Sequence, residues 1–71
     1  MKKHLNKALI SKYVAQRDEA LATLEVYYNN AAGIGEHPQV VEEMAKQVEN
    51  LANAQDCLDV LQFYSDHEDV A

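Results

Sequence analysis

Apolar residues recur at helical spacing from residue 10 to residue 31 of this chain. At 100° per residue, Ile10, Tyr13, Val14, Ala20, Leu21, Leu24, Tyr27, Tyr28 and Ala31 fall on one broad face, with Leu9 on its flank and Leu5 at its edge. The spacing is heptad-like. Neither Gly nor Pro interrupts residues 4–32, and the pattern predicts a helix over about that span. A second apolar series follows Pro38: Val40, Val41, Met44, Ala45, Val48, Leu51, Ala52 and Leu58 share a face, with Gln55 in its middle. It predicts a second helix over about 38–66 and a frayed tail at 67–71. Two helices of similar length joined by a short connection form an antiparallel hairpin. The expected fold is therefore all-α, a single helical-hairpin domain covering residues 1–71.

The connection NNAAGIGEHPQ holds both glycines and the only proline. Gly33 stands where the first helix would end, at the left-handed position that lacks a Cβ clash only for glycine. Ile34 would fold back on the last turn, Gly35 would let the chain reverse, and Pro38 suits the first helical position. Glu42 and Glu43 then sit in the first turn, where acids favour the positive helix end. A phosphate-binding loop would need a preceding strand and a Lys-Ser/Thr pair after the glycines. Neither is present, so Gly33, Ile34, Gly35 and Pro38 are expected to form a turn over 33–37.

Several groups do not fit a lone hairpin. Cys57, Val60 and Tyr64 point roughly opposite to Val48 on the second helix. With Tyr27 and Tyr28, they are the candidate interface for another chain, since tyrosine suits half-wet surfaces. Arg17 and Gln55 interrupt the apolar faces. Arg17 could lay its stem on the core and reach Glu49, Asn53 or Asp56. Alternatively, Arg17 and Gln55 fix register or oligomeric state, as single polar residues in helical cores can. Chains of this length carry a small core and often gain stability by association. Two hairpins are thus expected to form a homodimeric four-helix bundle.

Charge is unevenly placed. Lys2, Lys3, Lys7, Lys12 and Arg17 all precede the first acid, Asp18, whereas the rest of the chain holds twelve acids and one base, Lys46, for a net −6 overall. In an antiparallel hairpin, Lys3 would lie near His67, Lys7 near Phe63 and Lys12 near Leu58. The basic segment would then run beside Asp56, Asp59, Asp66, Glu68 and Asp69, and charge would select this pairing. The overall negative charge disfavours general nucleic-acid binding, although the segment Lys2–Arg17 leaves a nucleic-acid-associated role as the alternative. The single cysteine permits no internal disulfide. MKKHLNKALISKYV offers no apolar run long enough for a signal peptide or a membrane span. A cytoplasmic protein is expected.

Little in the sequence points to catalysis. The stretch SDHED brings Asp66, His67, Glu68 and Asp69 together, but adjacent helical residues do not converge on one point. No histidine pair has metal-ligand spacing, although His4 could approach His67 across the hairpin ends. Asp56 and Asp59 oppose a thiolate at Cys57, so a packed or interfacial cysteine is expected rather than a reactive one. No Ser-His-Asp or Cys-His arrangement is present. The expectation is no enzyme, no metal, no cofactor and no small-molecule ligand.

The segment YYNNAAGIGEHPQVVEEMAKQVENLANAQDCLDVLQ, centred on GIGEHPQ at 33–39, resembles short uncharacterised α-helical proteins encoded by T4-like tailed phages of marine cyanobacteria. The resemblance implies a phage accessory protein made in an infected bacterium and brings no catalytic residues. Together these observations point to a small non-enzymatic interaction module. It would bind itself as a homodimer and would meet another protein through its acidic outer face.

Overall fold

The computed structural model describes residues 2–30 and 39–67. It is all-helical over these residues: α1 spans Lys2–Asn29 and α2 spans Val40–His67, and the two pack against each other along their length. The expected turn residues Gly33, Ile34, Gly35 and Pro38, and the tail beyond His67, lie outside the described residues. Each helix has 28 residues, about 42 Å at 1.5 Å per residue. The molecule measures 53 × 18 × 14 Å, with a radius of gyration of 16.3 Å. A compact chain of this length would have a radius near 11 Å.

The helix ends differ in how they are satisfied. α1 has no acid in its first turn and no base in its last. Lys2 and Lys3 open it against its own macrodipole. Its end is closed instead by Asn30, whose backbone N–H and side-chain amide both donate to the Val26 carbonyl at 3.0 Å. α2 opens favourably, with Glu42 and Glu43 in its first turn and the Glu43 N–H donating to the Gln39 carbonyl at 2.9 Å.

The seam follows a regular heptad on α2. Val40, Met44, Gln47, Leu51, Ala54, Leu58 and Leu61 are buried or half-buried, at alternating steps of four and three. On α1, Tyr13, Gln16, Ala20, Thr23, Leu24 and Tyr27 face them. Only Ala20, Leu24 and Ala54 are fully buried among the described residues. At 1% and 0% exposure, Ala20 and Ala54 are the most deeply buried of the core residues, and their small methyl groups allow two backbones to come close. Two side-chain hydrogen bonds cross the seam. Gln16 Nε2 donates to the Asn50 carbonyl at 2.9 Å, and the Tyr27 hydroxyl donates to the Glu43 carboxylate.

This seam is rotated from the one that the apolar pattern predicts. Ile10, Leu21 and Tyr28 on α1, and Val41, Ala45, Val48, Ala52 and Gln55 on α2, were expected to face the partner helix but are exposed. The reason is geometric. Each apolar arc is wider than one helix can cover, and the helices meet along the edge where alanine permits the closest contact. The same rotation brings Leu61 and Cys57 toward the seam, where both are half-buried. Cys57, expected on the far side, adjoins Tyr13 across the hairpin.

Candidate interaction surface

The two sides of the hairpin differ in character. One side is a groove lined by Lys12, Gln16, Glu19, Gln47, Asn50 and Asn53 beside Ala15 and Ala20. It is polar, and Gln16 bridges the helices along it. The other side is a groove where Ile10, Val14 and Arg17 of α1 meet Gln55, Leu58, Asp59 and Gln62 of α2. Continuing those stripes by helical steps adds Leu21 and Tyr28 on α1 and Val41 and Val48 on α2. Along this second side, Ile10 is 38% exposed, Leu21 45%, Tyr28 68%, Val41 75% and Val48 50%. The apolar positions displaced from the seam therefore form one connected face.

Arg17 and Gln55 both line this apolar groove. Neither is buried in the hairpin seam. Arg17 is half-buried, and its Nε lies 3.4 Å from Asp18 Oδ1, its own neighbour, rather than reaching Glu49, Asn53 or Asp56. Gln55 is exposed and donates to Asp59 Oδ1 at 3.0 Å on its own helix. A role in setting register would thus act between chains, not between α1 and α2.

A second exposed cluster occupies the open end. Leu5, Leu9, Val60, Phe63 and Tyr64 are all exposed there. Phe63 meets Tyr64 edge-on at 5.5 Å and stacks on the His67 ring at 4.1 Å. His67 Nδ1 is held 2.7 Å from the Phe63 carbonyl. Of the residues proposed from sequence as an interface, Val60, Tyr64 and Tyr28 are exposed, while Tyr27 and Cys57 are half-buried at the seam. The apolar pattern places Ile10 and Leu21, and Val41 and Val48, on the same broad faces as the seam residues. The signal that they lie off the seam is the second heptad on α2, Val41, Val48, Gln55 and Gln62, running parallel to the seam heptad one residue away.

The expected pairing of basic and acidic ends is not made through ion pairs among the described residues. The only such pair there is Arg17–Asp18. The acids of α2 instead accept from glutamines, Gln55 to Asp59 and Gln62 to Asp66, each at 3.0 Å. Lys2, Lys3, Lys7 and Lys12 are exposed; Lys3 and Lys7 share one side of α1 while Lys2 and Lys12 fall on others, so the four form no continuous stripe that could track a phosphate backbone.

Both seam tyrosines have raised pKa values. At Tyr27 the main cause is the hydrogen bond to Glu43, with desolvation and the carboxylate charge adding to it. At Tyr13 it is the neighbouring Cys57 side chain, first as a polar neighbour of the hydroxyl and then through its charge, with desolvation adding to it. Holding the phenols neutral favours the folded state below the ordinary value of 10.0, and that contribution is lost as pH rises through the folded values. The thermal midpoint should therefore fall above pH 10 by an extra increment that the Tyr13→Phe, Tyr27→Phe double variant lacks. Parallel curves for the two proteins in alkaline melts would show that these contacts do not form in solution.

No described group of three or more His, Cys, Asp or Glu side chains is gathered in a way that could hold a metal ion. No described helix is long and apolar enough to cross a membrane. Compared with known proteins, the chain matches no family model, no curated protein and no solved structure.

Proposed function

We propose that this chain is a small non-enzymatic interaction module that works as a homodimer, two hairpins forming a four-helix bundle. The observation that carries this reading is the ratio of exposed to buried apolar groups. Among the described residues, eleven large apolar side chains are exposed, against three buried apolar residues, two of them alanine. The chain presents 5903 Å² of surface, whereas a compact monomer of its mass would present roughly 4,500 Å². The excess is larger than the roughly 800 Å² that each partner buries in an ordinary stable interface.

The dimer would turn its outer surface to a further protein. Glu42, Glu49 and Asp56 recur at heptad spacing on α2, and all are exposed. They form the acidic stripe that a basic partner would meet. The resemblance to phage-encoded helical proteins supports an accessory role in the cytoplasm of an infected bacterium.

Sedimentation equilibrium over a wide dilution range tests this directly. The expected mass is twice the 8.0 kDa of one chain, with a thermal midpoint that rises with protein concentration because association and folding are linked. A stable, concentration-independent monomer would sink the reading. In the same preparation, labelled duplex DNA and single-stranded RNA should show no salt-sensitive binding. A steep salt dependence would instead favour the basic segment of α1 as a nucleic-acid surface.

A further inference from the structure

Resting on the homodimer reading, we infer that the second copy docks on the side carrying Leu21, Tyr28, Val41 and Val48, with the two-fold axis along the hairpin, so that α1 lies over the partner's α2 and both connections lie at one end. Area alone names the occupant only as something apolar. The distribution of groups along the face names it as this same chain in this one orientation.

The apolar groups are not spread evenly. Leu21 and Tyr28 of α1 and Val41 and Val48 of α2 occupy the half of the face nearer the connection, with the exposed Glu25 at its edge. The half nearer the open end carries Lys3 and Lys7 on α1 and Asp59 and Asp66 on α2, around Ile10 and Val14. Within the hairpin, Tyr27 stands level with Glu43 and Tyr13 level with Cys57. A two-fold axis along the hairpin keeps each residue at its own level and exchanges the helices. Leu21 then faces the partner's Val48, and Tyr28 faces the partner's Val41. Lys3 comes opposite the partner's Asp66, and Lys7 stands near the same acidic end. Apolar groups meet apolar groups, and the base-acid complement that α1 and α2 do not use within one chain is used between chains. Facing helices also run antiparallel, the favourable arrangement of macrodipoles.

The reversed dimer, with the open end of one copy over the connection of the other, also sets facing helices antiparallel but fails on the pairing of side chains. It stacks α2 on the partner's α2 in opposite directions. Val41 then meets the partner's Asp66, and Val48 meets the partner's Asp59. Each of these two valines would be covered by a carboxylate, which is costly to desolvate unpaired, and Tyr28 would fall near the partner's Lys3 and the partner's Lys7. The arrangement with both connections at one end also gives Arg17 and Gln55 a shared role. They stand at neighbouring levels in the middle of the face, where the guanidinium would meet the partner's Gln55 carbonyl and fix the axial register.

Disulfide trapping of mixed full-length chains tests this. In a Cys57→Ser background, Tyr28→Cys chains are mixed with Val41→Cys chains, and Val41→Cys chains with Asp66→Cys chains. Both mixtures are oxidised mildly, and wild-type mass is measured in parallel. A disulfide needs Cβ atoms roughly 3.5–4.5 Å apart. The expected result is a covalent heterodimer from the first mixture in large excess over the second. A heterodimer from the second mixture alone would overturn the orientation and leave the homodimer standing. So would trapping in neither mixture while the wild type sediments at twice the chain mass. A wild type that sediments as a single chain would overturn both the orientation and the homodimer.

Discussion

Replacing Ala54 with leucine should sharply destabilise the folded hairpin. Ala54 is completely buried and Ala20 nearly so, and their small methyl groups allow α1 and α2 to come close. A leucine at either position has no cavity to enter. It must push the helices apart, and overpacking of a close contact typically costs about 1–3 kcal/mol. A core of this size supplies about 3–5 kcal/mol, so one substitution would remove a large share of it. Leucine is also a good helix former, so any loss cannot be assigned to propensity. The measurement is far-UV circular dichroism against temperature for wild type and Ala54→Leu at matched concentration. A drop in midpoint of more than about 10 °C is expected, since about 1 kcal/mol shifts a small domain by 4–8 °C. An unchanged midpoint would mean that the helices do not meet along the alanine line.

The spacing of apolar residues identified both helices, because an uninterrupted 3.6-residue period admits few alternatives over nearly thirty residues. It did not identify which stripe faces which. On α2, two heptads run side by side, one through Met44, Leu51 and Leu58 and one through Val41 and Val48. A helix with so wide an apolar arc has two usable faces, and side-chain size decides between them. Ala54 is the least conspicuous apolar position in the sequence, yet it controls how near the backbones come. Hydropathy ranks Val48 above Ala54, and close packing reverses that order. For the same reason Arg17 and Gln55 were visible as interruptions, but the groove beside the seam that they line was not.

Charge was legible in amount and less so in use. The basic start and acidic remainder suggested pairing within the hairpin. Among the described residues the acids of α2 are held by glutamines one turn away. A glutamine four residues before an aspartate reaches it locally at little entropic cost, whereas a lysine must order a long side chain across the seam. Exposed pairs of that kind contribute little, so the seam forms without them.

Val48→Glu and Val60→Glu should give sharply different proteins, although the two valines are nearly alike within one hairpin. Val48 is 50% exposed and Val60 is 53% exposed. In an isolated hairpin each change would be an exposed substitution worth within about 0.5 kcal/mol, with glutamate slightly favoured as a helix former. They lie on opposite sides of the seam, and only Val48 belongs to the face with Leu21 and Tyr28. In the proposed dimer its apolar contact would be lost twice, once per copy, and since Val48 is already half covered each loss would be roughly half of the 1.5–3 kcal/mol for full burial, with a carboxylate placed against leucine. The Val48→Glu protein should sediment as a single 8.0 kDa chain and melt at a lower, concentration-independent midpoint. The Val60→Glu protein should keep the wild-type mass and midpoint. Because exposure in the monomer is matched, a difference between them can arise only from the assembled state. If Val60→Glu dissociates the protein and Val48→Glu does not, the second copy sits at the open end with Leu5, Leu9 and Tyr64, and the long apolar face awaits another partner.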